Sequence, residues 1–175
     1  MSKHTTDDIL IRQVPILRDF LYHYSTYKEL IHNVENLSGP KLFWKFTADA
    51  HLLTSVNYWC MVFGSKGNPT HYSKVDFTEE YDYVPFKEYF LEALNMTHED
   101  YEKYWQTMKD FRDKFSAHRE ISYKEPAPYF DIAHKVALHY VSWLEKFNIM
   151  PSLEMMVEQY QEELQPMIES FKVNK

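Results

Sequence analysis

Glycine is scarce in this chain: Gly39, Gly64 and Gly67 are the only three in 175 residues, where a usual frequency of roughly 7% would give about a dozen. Phosphate loops of the GxxxxGKS kind and GxGxxG dinucleotide turns need glycine where backbone meets phosphate, so both are excluded. Cysteine is scarcer still. Cys60 stands alone, which rules out an internal disulfide framework and any zinc site built from several thiolates. Long apolar runs are also missing. The longest, Tyr58 to Phe63, falls far short of the ~18 residues that cross a bilayer. The opening residues Met-Ser-Lys-His-Thr-Thr-Asp-Asp hold no apolar stretch of the signal-peptide kind. The expectation is a cytoplasmic protein with no membrane partner.

Aromatic residues, by contrast, are abundant: 12 Phe, 14 Tyr and 4 Trp in a chain that is 45% hydrophobic. That composition excludes intrinsic disorder, and the length suits one domain, residues 1–175, with a substantial core. The net charge of -7 argues against a protein that coats duplexes, but its distribution is uneven. Residues 76–102 carry nine acids and only Lys87 as a base, whereas the stretch 109–119 holds Lys109, Arg112, Lys114 and Arg119 against Asp110 and Asp113. A polyanion could approach that second stretch. A solvated, salt-bridged helix face explains the same charges.

Helical periodicity dominates the pattern. Leu10, Val14, Leu17, Leu21, Tyr24 and Ile31 recur at spacings of three and four, with Pro15 as a start or kink, before a break at Ser38-Gly39-Pro40. A second stripe runs Leu42, Phe46, Leu53, Val56, Cys60, Phe63 and ends at Gly64, a C-cap candidate. Residues 65–82 read as a long connection, and a short helix follows from Pro85 to Leu94. Thr97 opens a fourth long segment, with Glu99, Asp100 and Glu102 suited to its positive end. Its stripe is Tyr101, Tyr104, Met108, Phe111, Phe115. After the stiff turn Lys124-Glu125-Pro126-Ala127-Pro128, a fifth helix runs from Phe130 to Phe147, and Pro151 opens a last one. No alternating strand pattern competes. The expected fold is all-α: a single-domain antiparallel helical bundle of five to six helices.

Chemistry concentrates in Lys109-Asp110-Phe111-Arg112-Asp113-Lys114-Phe115-Ser116-Ala117-His118-Arg119. At about 100° per residue, Arg112 and His118 fall some 60° to either side of the aromatic stripe. They straddle a helix seam, with Arg119 sharing the face of Arg112 and Lys114 one turn before His118. An imidazole that titrates near neutrality can take the proton of a ribose 2′-hydroxyl, while a guanidinium fork stabilises charge on the phosphate. Dependence on the 2′-hydroxyl would restrict such cleavage to RNA and require no metal. The same two residues also suit a core-edge histidine and a structural ion pair. Asp49 occupies an apolar-stripe position, where a buried carboxylate needs a partner; Arg112 or Arg119 would serve. The nine histidines lack metal-ligand spacing: Asp131-x-x-His134 and His134-x4-His139 contain no Glu-x-x-His pair. No metal or cofactor is expected. Trp59, Trp105, Trp143 and Cys60 read as packed residues.

The run Arg112-Asp113-Lys114-Phe115-Ser116-Ala117-His118 resembles the Arg-x(4–6)-His motif of the HEPN superfamily. The wider wording Phe-Arg-Asp-Lys-Phe-Ser-Ala-His-Arg is similar to its abortive-infection AbiU-like branch. So is Trp59-Cys60-Met61-Val62-Phe63-Gly64 followed by His71-Tyr72. The resemblance implies a HEPN-like domain over the chain and a metal-independent endoribonuclease of the toxin or antiphage-defence kind. In such proteins two motif helices meet across a homodimer twofold and share an RNA cleft. By position, Arg112 and His118 would be the catalytic pair and Asp113 the polar residue after the arginine, with Lys114, Arg119 and Asp49 in support. RNA and an antitoxin or regulatory protein would be the partners. In one branch an x-Tyr after the histidine is the target of an adenylylating antitoxin. Here Arg119-Glu120 follows His118, a departure from that pattern. Catalytically inactive HEPN domains that act as protein- or nucleotide-binding regulatory modules supply the alternative reading.

Overall fold

The structure is a computed structural model that describes residues 5–77, 85–117, 126–147 and 152–173. The first helix, α1 (Thr6–Asn33), is started by a capping box: Thr5 accepts from the Asp8 amide, and Asp8 accepts from the Thr5 amide. Both bonds satisfy donors that the first turn would otherwise orphan. Pro15 lies inside this helix without ending it. A short connection at Gly39, whose φ of 84° suits glycine, leads into α2 (Lys41–Phe63). The two pack as a hairpin. Then come α3 (Phe86–Ala93), α4 (His98–Asp110) running into a π-helical segment (Phe111–Ala117), α5 (Phe130–Glu145) and α6 (Leu153–Ser170). A single 3-10 turn, Tyr72–Lys74, interrupts the connection after α2. Among the described residues the only β-type contact is an isolated bridge between Leu37 and Lys172. The protein is an all-α, single-domain helical bundle.

Contacts fix the helix directions. Gln13 of α1 bonds Tyr140 of α5, and Tyr24 bonds Asp131, so α1 and α5 are antiparallel. Tyr22 stacks on Tyr160, Ser25 bonds Gln161, and Leu30 packs with Leu164 and Ile168. Helix α6 therefore runs beside α1 in the same direction. Its end is fastened where the Ser38 amide donates to Phe171 and the Val173 amide donates to Asn36. The main core gathers Phe20, Trp59, Phe63, Phe90, Met108, Tyr140 and Leu144, all fully buried. Removing a buried ring of this kind typically costs ~3–5 kcal/mol. The buried Gln13 is fully satisfied: its amide donates to Thr70 O at 2.9 Å and its carbonyl accepts from Tyr140 at 2.8 Å, as a polar group in a dry core must be.

Three expectations need correction. Leu42 and Phe46 are 64% and 66% exposed, and the buried face of α2 is instead Ala48, Leu52, Ser55, Val56, Trp59, Cys60, Val62 and Phe63. Asp49 is consequently exposed rather than buried. The last helix begins at Leu153 behind a Ser152 cap, whose hydroxyl accepts from the Met155 amide, so it does not start at Pro151. The fourth segment is not one α-helix through Phe115, because its hydrogen bonding changes at Phe111.

Candidate functional site

Helix α4 is capped by Thr97, which accepts from the Asp100 amide at 3.1 Å, and it presents Tyr101 and Met108 to the core. From Phe111 to Ala117 the backbone adopts π geometry. Such segments are rare and recur at functional sites. Phe111 is buried against the edge of the Phe130 ring, and Phe115 stacks on it with ring centroids 5.1 Å apart. Because a π-helix pairs each residue with one five positions on, the 100° projection of Arg112 and His118 does not hold across this stretch.

Arg112 folds back on its neighbour. Its Nε and Nη2 both donate to Oδ1 of Asp113 at 2.6 Å, and its side chain is 24% exposed. Two of its five N–H donors are used in this way. Lys114 pairs with Asp110 at 2.9 Å, and Gln106 donates to the same carboxylate. The bond from Lys114, followed by that from Gln106, holds the Asp110 carboxyl below its ordinary range. Lys109 lies 4.4 Å from the centre of the Trp105 ring, a cation–π contact. The charges of Arg112, Asp113 and Lys109 all reach the buried Cys60 thiol, which burial pushes up to about 12. The basic segment therefore lies over the C-terminal part of α2, and Cys60 is an inert core residue, not a nucleophile.

Of the residues singled out in the sequence, Arg112, Asp113 and Lys114 stand together on this segment. His118 and Arg119 lie outside the described residues. Asp49 is not brought to Arg112: its charge acts on the Tyr27 hydroxyl of α1, and Arg112 takes Asp113 instead. Trp59 and Trp143 are buried in the core. Trp105 packs too, donating its indole N–H to Phe63 O at 2.8 Å and to Gly64 O at 3.0 Å.

Three features escape a reading of the sequence. The α2 C-terminus is closed by side chains: Asn68 donates to Cys60 O, Thr70 to Met61 O, and Trp105 to Phe63 O. Beside it lies a recess of about 370 Å³ lined by residues of four segments, Lys66, Lys87, Trp105 and Lys109 among them. Only the Trp105–Lys109 spacing of four could have signalled it. On α1 and α2, His23 and His51 share one hydrogen bond, Nδ1 to Nδ1, at 2.9 Å. Burial lowers both below the ordinary histidine value. Among the described residues no group of three metal-ligating side chains comes together, and no helix is long and apolar enough to cross a membrane. Comparison with known proteins finds no match for this chain among family models, curated proteins or solved structures.

Proposed function

We propose that this protein is a metal-independent endoribonuclease of the HEPN kind, acting in the cytoplasm as a homodimer in toxin or antiphage-defence roles. The observation that carries the reading is the state of Arg112. It is partly exposed, it is oriented by Asp113, and only two of its five N–H donors are committed. It also opens a π-helical segment that leads directly to His118. A guanidinium held in place by a carboxylate while keeping free donors suits a phosphate group whose charge grows during cleavage. In the proposed mechanism His118 removes the ribose 2′-proton, and the resulting oxyanion attacks the adjacent phosphorus. The 5′-oxygen leaves, taking up a proton, and a 2′,3′-cyclic phosphate remains on the upstream fragment. Arg112 stabilises the phosphorane oxygens, and Asp113 keeps its fork from rotating away. Lys109 and Lys114 contribute positive potential along the same segment, and Arg119 extends the charge in sequence.

Purified protein incubated with RNA in EDTA should yield fragments ending in 2′,3′-cyclic phosphate. Arg112→Ala and His118→Ala should each abolish cutting with the helical CD spectrum intact. Cleavage that persists in both variants would remove these residues from the reaction.

One observation favours the alternative, a catalytically inactive HEPN-like regulatory module. The partner of Arg112 is its own neighbour, and the chain as a whole is acidic. Expression separates the two readings: a ribonuclease slows host growth and His118→Ala relieves the effect, whereas a passive module is harmless in both forms.

A further inference from the structure

The recess beside the C-terminal end of α2 has a chemistry of its own. Its volume of about 370 Å³ lies within the ~300–1,000 Å³ typical of small-molecule pockets. Its walls are flat and rigid. Trp105 is held by two hydrogen bonds to the carbonyls of Phe63 and Gly64. Tyr72 is wedged between Phe63 and the edge of Phe86, with centroid separations of 6.0 and 5.3 Å. Gly64 leaves the floor open because it has no side chain. Rings fixed in this way lose little entropy when another ring slides against them.

Its rim is cationic in a chain of net charge -7. Lys66, Lys87 and Lys109 all line it, against the single carboxylate Glu102. Lys87 reaches Glu102 at 4.0 Å, the limit of an ion pair, while neither Lys66 nor Lys109 has a carboxylate within that distance. Lys109 rests on Trp105, and Lys87 lies 5.9 Å from the centre of the Tyr101 ring. The ammonium groups are thus arrayed over aromatic surface, where an anion attached to a planar ring would meet both partners together. Tyr101 lines the same recess, and its buried hydroxyl makes no hydrogen bond. Buried polar groups are nearly always satisfied, so such an orphan calls for an explanation.

We infer that this recess binds a small planar aromatic anion, a ring bearing a phosphate or carboxylate, at a site separate from Arg112. The ring lies against Trp105 and Tyr72, and the anionic group sits among Lys66, Lys87 and Lys109. Concavity and size favour such a molecule over an extended polyanion, which would follow an open surface. This inference does not depend on the ribonuclease reading.

Isothermal titration of the full chain tests it with AMP, UMP, indole-3-acetate, adenosine and inorganic phosphate. At least one ring-bearing anion should bind saturably below about 1 mM, with adenosine and phosphate each roughly tenfold weaker or more. The nucleotide and indole-3-acetate arms decide whether phosphate or carboxylate is preferred. Lys66→Gln and Lys109→Gln, checked for unchanged CD, should each weaken binding several-fold, and Arg112→Ala should leave it within about twofold. No saturable binding of any ring-bearing anion would overturn the inference. So would affinity that ignores both lysine substitutions, or that disappears with Arg112.

Discussion

Acidification should weaken this fold through one identifiable side chain, His71. It is 2% exposed, and its Nδ1 accepts from the Ser73 amide at 3.1 Å, which requires the proton to sit on Nε2. Protonating Nδ1 would abolish that bond, charge a buried ring, and add a cation near Lys66 and Lys74. Burial first, then those two lysines, lower its pKa from 6.5 to about 4. Because the folded value lies below the unfolded one, the stabilisation is complete above pH 6.5 and is lost progressively as pH falls towards 4. At 1.36 kcal/mol per pH unit, the full interval amounts to ~3 kcal/mol, of which ~2 kcal/mol is lost by pH 5. For a domain of this length that loss corresponds to a fall in Tm of about 4–8 °C. His23, His51, His134 and His139 are lowered too and act in the same direction, so the measurement must subtract them. Urea denaturation of wild type and His71→Asn at pH 7.5 and pH 5 does so. Asparagine can still accept from Ser73 but does not titrate. The variant's deficit at pH 7.5 should shrink by ~2 kcal/mol at pH 5. A deficit equal at the two pH values would show that His71 is not held neutral by its surroundings.

Other outcomes follow from single contacts. Gly64→Ala should destabilise by ~2 kcal/mol or more in the same assay, because the new Cβ would sit 2.4 Å from Cys60 O. Tyr140→Phe strands the buried Gln13 carbonyl and should cost ~1–3 kcal/mol. Tyr101→Phe removes a hydroxyl that bonds to nothing and should change stability by less than ~0.5 kcal/mol in the absence of ligand; equal costs for the two variants would refute this distinction. Cys60, buried and with its thiol pushed up to about 12, should resist a thiol reagent at pH 8 in native protein and react fully in urea; rapid native labelling would contradict its burial.

Much of the architecture is legible in the residues themselves. Thr97 and Gly64 mark helix ends because each solves a local problem, an orphaned amide in one case and a close carbonyl in the other. The buried face of α2 is not so legible. Leu42, Phe43, Phe46, Ala48, Leu52 and Leu53 surround much of its circumference, so periodicity alone leaves the phase ambiguous, and packing against α1 selects Ala48 and Leu52. The exposure of Asp49 follows from that choice. Arg112 and Asp113 are recognisable as polar groups beside an aromatic stripe, but their mutual pairing is not, because adjacent helical residues point in different directions and only a long arginine can fold back. The lysines of the recess belong to three separate segments, so no spacing announces them. The π segment leaves no sign either, since the same letters serve both hydrogen-bond patterns.

That widened turn has a mechanical consequence. A π-helical stretch holds one more residue per hydrogen-bonded loop than its α counterpart, so trimming a single amino acid between Phe111 and Ala117 would let the coil tighten into the commoner form. Everything beyond the cut would then swing by about 100° around the axis and draw back by ~1.5 Å. The bearing on which the chain departs from Ala117 is in this way set by a count of residues, and a one-codon deletion would re-aim it without altering any side chain that remains.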